Sequence, residues 1–537
     1  MSSETVVLVG FENQPNLGIG YLAAVLSQNG FDVEVLDFGS GKEALLEHIL
    51  DADPLIVGLS IIFQYYTSDF ADLVAFLRRN GVRCMICAGG HYPSLRSEDV
   101  LRAIPGLDCV VRFEGEKTLL EMAQRLKAGK DWQDLESVAY LEDGEYVQTP
   151  LRPLIPDLDT LPVPERHTSP YQCLGVRSTS ILASRGCPQG CSFCSIRRFY
   201  AIPPGRVRRS RSPENVVQEM LELYEEHDVR IFLFQDDDFS LMSKRDRAWA
   251  AEFVERLRQT GLDDAVMWKI NCRADEVDQE VFADFKSAGL FLVYLGLESG
   301  NKTGLKTLNK HITVEQNREA VDVLKQVGVR YEFGFMLFDP SSTFDLVLEN
   351  VSFLREICGD GSSPVPFCKM LPYAGTDIEE TLREDGRLRG DVRHPDYGFE
   401  DPRLDTWFDY LSDVFRPWVF DKQSVLSHLR WAWFEMDVLE RFYPEVPHLS
   451  VYRERLTSLT SRYNEIFFRI IEDSAEVFRS PGPGSRALRA IHAAAEEQRR
   501  WLEQQLDYQR SGFFAQPGLP PELVEGDLET TEEVTST

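Results

Sequence analysis

Residues 184–199 read "SRGCPQGCSFCSIRRF" and place cysteines at 187, 191 and 194. Gly186, Pro188 and Gly190 turn the backbone between them, and no fourth cysteine lies within reach. Structural zinc sites and structural iron–sulfur clusters are normally closed by four protein ligands. Catalytic zinc keeps a position open, but it usually recruits histidine or carboxylate rather than three clustered thiolates. Three thiolates can hold three irons of a [4Fe–4S] cubane and leave the fourth iron open. That chemistry assigns Cys187, Cys191 and Cys194 as metal ligands, against the plain alternative of three ordinary cysteines in a glycine-rich loop.

The rest of the chain bounds the setting. At 537 residues it has room for about three to four domains. A 43% hydrophobic and 27% charged composition suits a globular protein with ample core. No apolar run reaches the length of a membrane span. The start, "MSSETVVLVG", has no basic region followed by an apolar one, so no secretory signal is expected and a cytoplasmic location is the default. With 87 acidic against 57 basic side chains the net charge is −30, a field that repels a phosphate backbone and argues against nucleic-acid partners. Ten cysteines in such a chain read as reduced thiols rather than a disulfide framework.

Upstream of the triplet, "TVVLVG" (5–10), "DVEVLD" (32–37), "PLIVGLS" (54–60), "VRCMICAGG" (82–90) and "LDCVVRF" (107–113) alternate with helical stretches. Five such units predict a parallel sheet covered on both faces, a doubly wound Rossmann-like domain over residues 1–135. Ligands of such sheets sit beyond the carboxyl ends of the strands. There the sequence has "NQPNLGIG" (13–20), Ser60, "GGHYPS" (89–94) and "FEGE" (113–116). Five prolines in "LRPLIPDLDTLPVPERHTSP" (151–170) predict an extended linker, placed at 136–175. A second βα array follows over 176–395, with strands expected at 179–184, 230–239, 266–273, 291–299 and 331–338. In "VLSHLRWAWFEMDVLE", Val425, Leu429, Ala432, Met436 and Leu439 recur at helical spacing, so 396–515 reads as a helical domain. The acidic stretch 516–537 reads as a disordered tail.

With these elements in place, a resemblance becomes specific. C-x3-C-x2-C with Phe193 just before the last cysteine resembles the signature of the radical S-adenosylmethionine superfamily. "FQDDDF" (234–239), "YLGLESGNKTGLKTLNKHITVEQNREAVDVLKQVGV" (294–329) and "LPYAGT" (371–376) resemble later segments of its partial TIM-type (β/α) barrel. The resemblance implies that S-adenosylmethionine chelates the open iron. An electron from the cluster then cleaves the sulfonium, giving a 5′-deoxyadenosyl radical that takes a hydrogen from substrate. It also implies that Glu298, in "GLES", binds the cofactor's ribose or amino group, against a solvated carboxylate at a strand end. Phe193 packs on the adenine, or is a core aromatic. Arg273 answers a carboxylate at the barrel mouth, or makes a surface salt bridge. One of Asp236, Asp237 and Asp238 meets cofactor or substrate, with Asp237 the nominee. Alternation sends neighbours to opposite faces and leaves that choice open.

A doubly wound domain before such a barrel resembles the cobalamin-binding subgroup, as do "AGGHYPSLRSEDVL" (88–101), "DCVVRFEGEKTLLEM" (108–122) and "LRPLIPDLDTLPVP" (151–164). By that resemblance Ser60, Gly89, Gly90, Ser94 and Gly115 lie near the corrin or its nucleotide tail. The loop "FENQPNLGIG" lacks the histidine of D-x-H-x-x-G, so the lower face of cobalt is not held by a histidine there. His91 is better read as a hydrogen-bonding loop histidine than as its replacement.

Taken together these features imply a cobalamin-dependent radical S-adenosylmethionine methyltransferase acting on an unactivated carbon, or a phosphinate phosphorus, of a small-molecule biosynthetic intermediate. Its cofactors would be a [4Fe–4S] cluster, S-adenosylmethionine and cobalamin, with an external electron donor of flavodoxin or ferredoxin type. The alternatives are a non-methylating enzyme of the same family (cyclisation, ring contraction or oxidation) and a non-catalytic iron–sulfur binding or sensing protein. No side chain is nominated as catalytic, and the substrate is not legible. Cys84 and Cys87 lie three apart on a strand and face opposite ways, so their C-x2-C spacing is not a metal motif. Cys109, Cys173, Cys272, Cys358 and Cys368 read as structural. Trp431 and Trp433 point in different directions from one helix.

Overall fold

The computed structural model describes residues 4–12, 16–168, 170–480, 485–517, 519, 520 and 523. Most of the expected 516–537 tail, and Asn13, Gln14 and Pro15 of the first strand-end loop, therefore lie outside the described residues. By compactness the chain divides into two interleaved units. One holds residues 1–169, 180–219 and 371–397; the other holds 170–179, 220–370 and 398–537. Each is described by itself.

In the first unit, strands β1 (Thr5–Gly10), β2 (Asp32–Asp37), β3 (Ile56–Ser60), β4 (Met85–Gly89) and β5 (Cys109–Val111) form a parallel sheet in the order β2-β1-β3-β4-β5. Helices α1 (Leu17–Gln28), α2 (Lys42–Ala52), α3 (Thr67–Arg79), α4 (His91–Leu95), α5 (Ser97–Ala103) and α6 (Glu116–Lys127) make the crossovers. β1, β3, β4 and β5 are apolar on both faces because both are covered, whereas the edge strand β2 exposes Asp32 and Glu34. Val7, Val9, Val57, Leu59, Ile86 and Ala88 pack on one side. Val6, Leu8, Ile56, Cys87 and Cys109 pack on the other. Cys84 joins the first layer and Cys87 the second, which removes them as a metal pair. The strand order reverses at β1, between β2 and β3, where such folds open a crevice for ligand.

The sheet does not stop at five strands. β6 (Val138–Glu142) and β7 (Glu145–Gln148) add an antiparallel hairpin after β5. They occupy part of the stretch expected to be linker. Asp143 and Gly144 both have positive φ, 52° and 85°, as a two-residue hairpin turn requires. Among the described residues, the proline-rich stretch beyond carries one short 3-10 turn, Leu158–Thr160.

The second unit contains β8 (Tyr171–Cys173) and most of β9 (Val176–Ile181), an antiparallel pair. The expected strand 179–184 divides: Ser184–Arg185 forms a separate β10, paired with β11 (Arg209–Ser210) in the first unit. The first unit also takes α7 (Ser195–Ala201), while α8 (Pro213–His227) runs from one unit into the other. Strands β12 (Val229–Phe234), β13 (Met267–Arg273), β14 (Leu290–Glu298) and β15 (Arg330–Phe335) complete a six-stranded sheet, β15-β14-β13-β12-β9-β8. The last four pair in parallel. This is the partial barrel sheet that the family resemblance implies. Trp268 of β13 packs outward on Phe253 of α9 (Lys244–Thr260) and Phe285 of α11 (Gln279–Ser287), which α10 (Leu262–Ala265) precedes. Helices α12 (Lys302–Thr307), α13 (Val314–Val327) and α14 (Phe344–Cys358) continue the array; α15 (Asp377–Glu384) returns to the first unit.

Helices α16 (Pro402–Phe415), α17 (Val425–Phe442), α18 (Leu449–Arg479) and α19 (Ser485–Phe514) form the helical part. All five periodic residues of α17 are buried. Trp431 Nε1 donates to Glu435 Oε1, whereas Trp433 Nε1 donates to Thr460 Oγ1, so the two rings do face apart. Trp431 and Val438 pack against Val176, Ile231, Met267 and Phe291 of the sheet, closing one end of its inner face.

Candidate active site

In the first unit the cysteine triplet sits on the loop between β10 and α7, with Cys194 as the N-cap of α7. Gly186 has φ +83°, and a Cβ there would lie 2.0 Å from the Val207 carbonyl oxygen, so only glycine fits. A turn follows, Cys194 N–H donating to the Cys191 carbonyl at 3.2 Å. The Ser192 carbonyl accepts from Ile378 N–H at 3.0 Å. All three thiols and Phe193 are half-buried and reach the surface of this unit. Of the remaining cysteines, Cys84 and Cys368 are likewise half-buried, while Cys87, Cys109, Cys173, Cys272 and Cys358 are buried. A hydrogen bond with Cys87 and then burial push the Cys109 thiol up, and burial does the same to Cys173, Cys272 and Cys358. Cys84 and Cys368 are pushed up to about 11, in both mainly by burial.

A charge network, not anticipated from sequence, anchors the strand that leads into this loop. Arg185 reaches Glu116 at 2.7 Å and Glu114 at 3.3 Å. Arg209, its neighbour across β11, donates to Glu114 at 2.8 Å and to the Ile155 carbonyl at 2.8 Å. Burial alone would push the Arg185 guanidinium down, but Glu116 and Glu114 more than offset it. The acidic residues of "FEGE" thus hold the cluster loop's approach strand. Gly115 between them is the N-cap of α6.

At the carboxyl ends of β3 and β4, Ser60 pairs with Gly89. Gly90 has φ +109°, and a Cβ on it would stand 2.5 Å from the Ile61 carbonyl oxygen. Ser94 is buried; its hydroxyl donates to the Gly90 carbonyl and accepts from Phe113 N–H, both at 2.7 Å. Ser94 therefore ties two strand-end loops together. His91 packs edge-on against Phe199 at 4.4 Å, and burial pushes its pKa down to about 4. It is a neutral packing residue rather than the hydrogen-bonding one expected. Beside these loops Ile62 and Phe63 are 38% and 39% exposed, and Phe63 stacks on Tyr65.

In the second unit Glu298 ends β14 with φ +63°, at a register shift against β15. It is buried and ion-paired with Lys310 at 3.0 Å, not a solvated carboxylate. The Lys310 carbonyl accepts from Arg273 Nη2 at 2.9 Å, and Arg273 Nε donates to Asp275 Oδ1 at 2.9 Å. Arg273 is buried, which excludes a surface salt bridge. Lys310 thus joins Glu298 to Arg273. Among the three aspartates Asp237 is exposed, while Asp236 and Asp238 are buried. Burial first, and then the Asp238 charge, push Glu276 up to about 8.

Two family models match this chain: the B12 binding domain over residues 5–123 and the radical SAM superfamily over 181–354. An uncharacterised methyltransferase of Pyrococcus horikoshii is 30% identical over 378 residues, 68% of this chain and 78% of its own length. The chain belongs to the cobalamin-binding radical S-adenosylmethionine enzymes. Another relative of this radical enzyme is the anaerobic magnesium-protoporphyrin IX monomethyl ester cyclase of Rubrivivax gelatinosus. It is 28% identical over 387 residues, 68% of this chain and 67% of its own. In fold, the enzyme matches the cobalamin-dependent S-adenosylmethionine radical enzyme OxsB, solved with aqua-cobalamin and S-adenosylmethionine bound. That match has a TM-score of 0.68 at 18% identity over 95% of this chain and 84% of the other.

The cofactors of the radical enzyme are accordingly a [4Fe–4S] cluster, S-adenosylmethionine and cobalamin. Its residues fit them. Three half-buried thiols on one glycine-turned loop are accessible to a cluster in a way the buried cysteines are not. Beside the strand end at Gly89 and Gly90, the exposed Ile62 and Phe63 offer an apolar surface suited to the flat face of a corrin ring. No helix of the described residues is long and apolar enough to cross a membrane.

Proposed function

We propose that this enzyme transfers a methyl group to an unactivated carbon, or a phosphinate phosphorus, of a small-molecule biosynthetic intermediate. The observation that carries the reading is the pairing, in one compact unit, of a three-thiol loop with a B12-binding fold in which β4 ends on Gly89, followed by Gly90, beside Ser60. When bound, the cluster supplies the electron that cleaves S-adenosylmethionine, and cobalamin supplies the methyl group. Cys187, Cys191 and Cys194 hold the cluster and leave one iron open. Glu298, held by its ion pair with Lys310, receives the ribose or amino group of S-adenosylmethionine, and Phe193 lies against the adenine. Arg273 acts through Lys310, and Asp237 is retained as a contact at the barrel mouth. Ser60, Gly89, Gly90, Ser94 and Gly115 shape the cobalamin site, Ser94 by tying the loops. Oxygen-sensitive chemistry of this kind goes with a reducing cytoplasm and a donor of flavodoxin or ferredoxin type.

The cyclase among the relatives supports a second reading, radical chemistry without methyl transfer. Products separate the two. The enzyme reconstituted anaerobically with iron, sulfide and cobalamin, and supplied with substrate and reductant, is expected to release S-adenosylhomocysteine alongside 5′-deoxyadenosine. Sustained product formation with 5′-deoxyadenosine alone would favour the second reading.

A further inference from the structure

The inner face of the second unit's sheet contains polar groups that neither the fold nor the cofactor assignments use. Strand register stacks them in rows. Lys269, Leu292 and Arg330 share one row; Asn271, Tyr294 and Glu332 share the next; Arg273, Gly296 and Gly334 share the third, just below Glu298. Trp268 and Ile270, on either side of Lys269, are fully buried towards the outer helices, so Lys269 faces inward. Its stem climbs one row: Nζ donates to Asn271 Oδ1 at 2.6 Å and lies 5.8 Å from the Tyr294 ring centre.

An ammonium here would ordinarily be explained by a carboxylate beside it. Among the described residues no carboxylate reaches Lys269 within ion-pair distance, and Asn271 takes one of its three N–H donors. Glu332 is already held by Arg330 at 3.1 Å and Arg430 at 3.2 Å, and Arg330 also holds Asp437 at 2.6 Å. Burial pushes Lys269 down to about 8, with Glu332 and Asp236 pulling against it from further away. Tyr294 is the second donor. Burial pushes its phenol up, so it stays protonated, and its hydroxyl has no hydrogen-bond partner among the described residues. Above it Gly334 has no side chain; a Cβ there would stand 3.3 Å from the Tyr294 hydroxyl.

We propose that Lys269 Nζ and Tyr294 Oη form an oxyanion-binding site inside the sheet, which takes a carboxylate or phosphate group of the substrate. An ammonium with unused donors beside an unpartnered hydroxyl suits an anion, and charge-assisted hydrogen bonds of this kind are the strong ones. The site deepens the proposed function, and rests on it only in treating the anion as part of the substrate. It makes an acidic small molecule the substrate class, with the reacting atom held above the second row, towards Glu298.

The test is equilibrium dialysis of labelled inorganic phosphate, and separately of labelled succinate, against the full chain loaded with cluster, cobalamin and S-adenosylmethionine. One equivalent of at least one anion is expected to bind. Lys269→Met should weaken it by about tenfold or more, as loss of a hydrogen bond to a charged group requires. Lys269→Arg should retain much of the binding. Phosphate binding alone identifies a phosphoryl group, and succinate binding alone a carboxylate. Tyr294→Phe, which keeps the ring, should weaken binding as well and reads the site even if Lys269→Met loses its cofactors. Absence of binding to the wild type, or unchanged binding by both Lys269→Met and Tyr294→Phe, would overturn the proposal. Reductive cleavage of S-adenosylmethionine by the wild type is measured in parallel. Its failure would count against the proposed function, while anion binding still reports on Lys269 and Tyr294.

Discussion

Replacing any one of Cys187, Cys191 or Cys194 by alanine is expected to abolish reductive cleavage of S-adenosylmethionine. Mutating partners of metal ligands already costs on the order of 10- to 100-fold in metal affinity or activity, so losing a ligand itself should cost more than about 100-fold. Iron and sulfide per chain should fall with it. The fold should survive, because the three thiols are half-buried and belong to neither apolar layer of the first sheet. Cobalt should be retained, since the sheet that carries the cobalamin site does not use them. The Cys84→Ala variant is the control: that thiol packs against an apolar layer and should leave the cluster intact. 5′-Deoxyadenosine production at the normal rate by any of the three variants would remove that residue from the cluster.

The second large effect is expected at Gly90. A side chain there meets two obstacles at once. A φ of +109° disfavours any residue with a Cβ, by roughly 1–2 kcal/mol. The Cβ itself would stand 2.5 Å from the Ile61 carbonyl oxygen, which belongs to the backbone and cannot swing away. Gly90→Val should therefore displace the β4–α4 loop and lower bound cobalt by about tenfold or more, the kind of loss a backbone clash at a special φ produces. Iron should stay near the wild-type level. Gly81→Ala isolates the conformational part, because Gly81 has φ +97° with nothing within 4 Å of its Cβ position. It should cost stability only, about 1 kcal/mol, and leave cobalt unchanged. Equal cobalt in Gly90→Val and wild type would place the corrin elsewhere.

Much of this was legible in the sequence because it depends on local pattern. Apolar runs marked β1, β3, β4 and β5, alternation in "DVEVLD" marked β2, and the spacing of Val425 to Leu439 marked α17, since all reflect which face is buried. Alternation correctly separated Cys84 from Cys87. The β6–β7 hairpin was missed although "YLEDGEYV" carries its signal, an Asp-Gly pair between two β-rich runs. Other features are long-range and leave little local trace. Glu114 and Glu116 read as strand-end acids, and nothing near them names Arg185 or Arg209 as partners. Lys310 stands twelve residues after Glu298 and meets it only because the chain folds back. Lys269 did leave a sign: a cation in the middle of "VMWKINCR", between the fully buried Trp268 and Ile270.

The central claim is that the polypeptide leaves one corner of an iron–sulfur cubane for S-adenosylmethionine, and it is tested most directly by electron paramagnetic resonance of the reduced, reconstituted enzyme. Adding S-adenosylmethionine should change the g-values of the cluster signal, as direct coordination of the open iron requires. A signal unaltered by saturating S-adenosylmethionine, in protein that holds a full complement of iron, would contradict it.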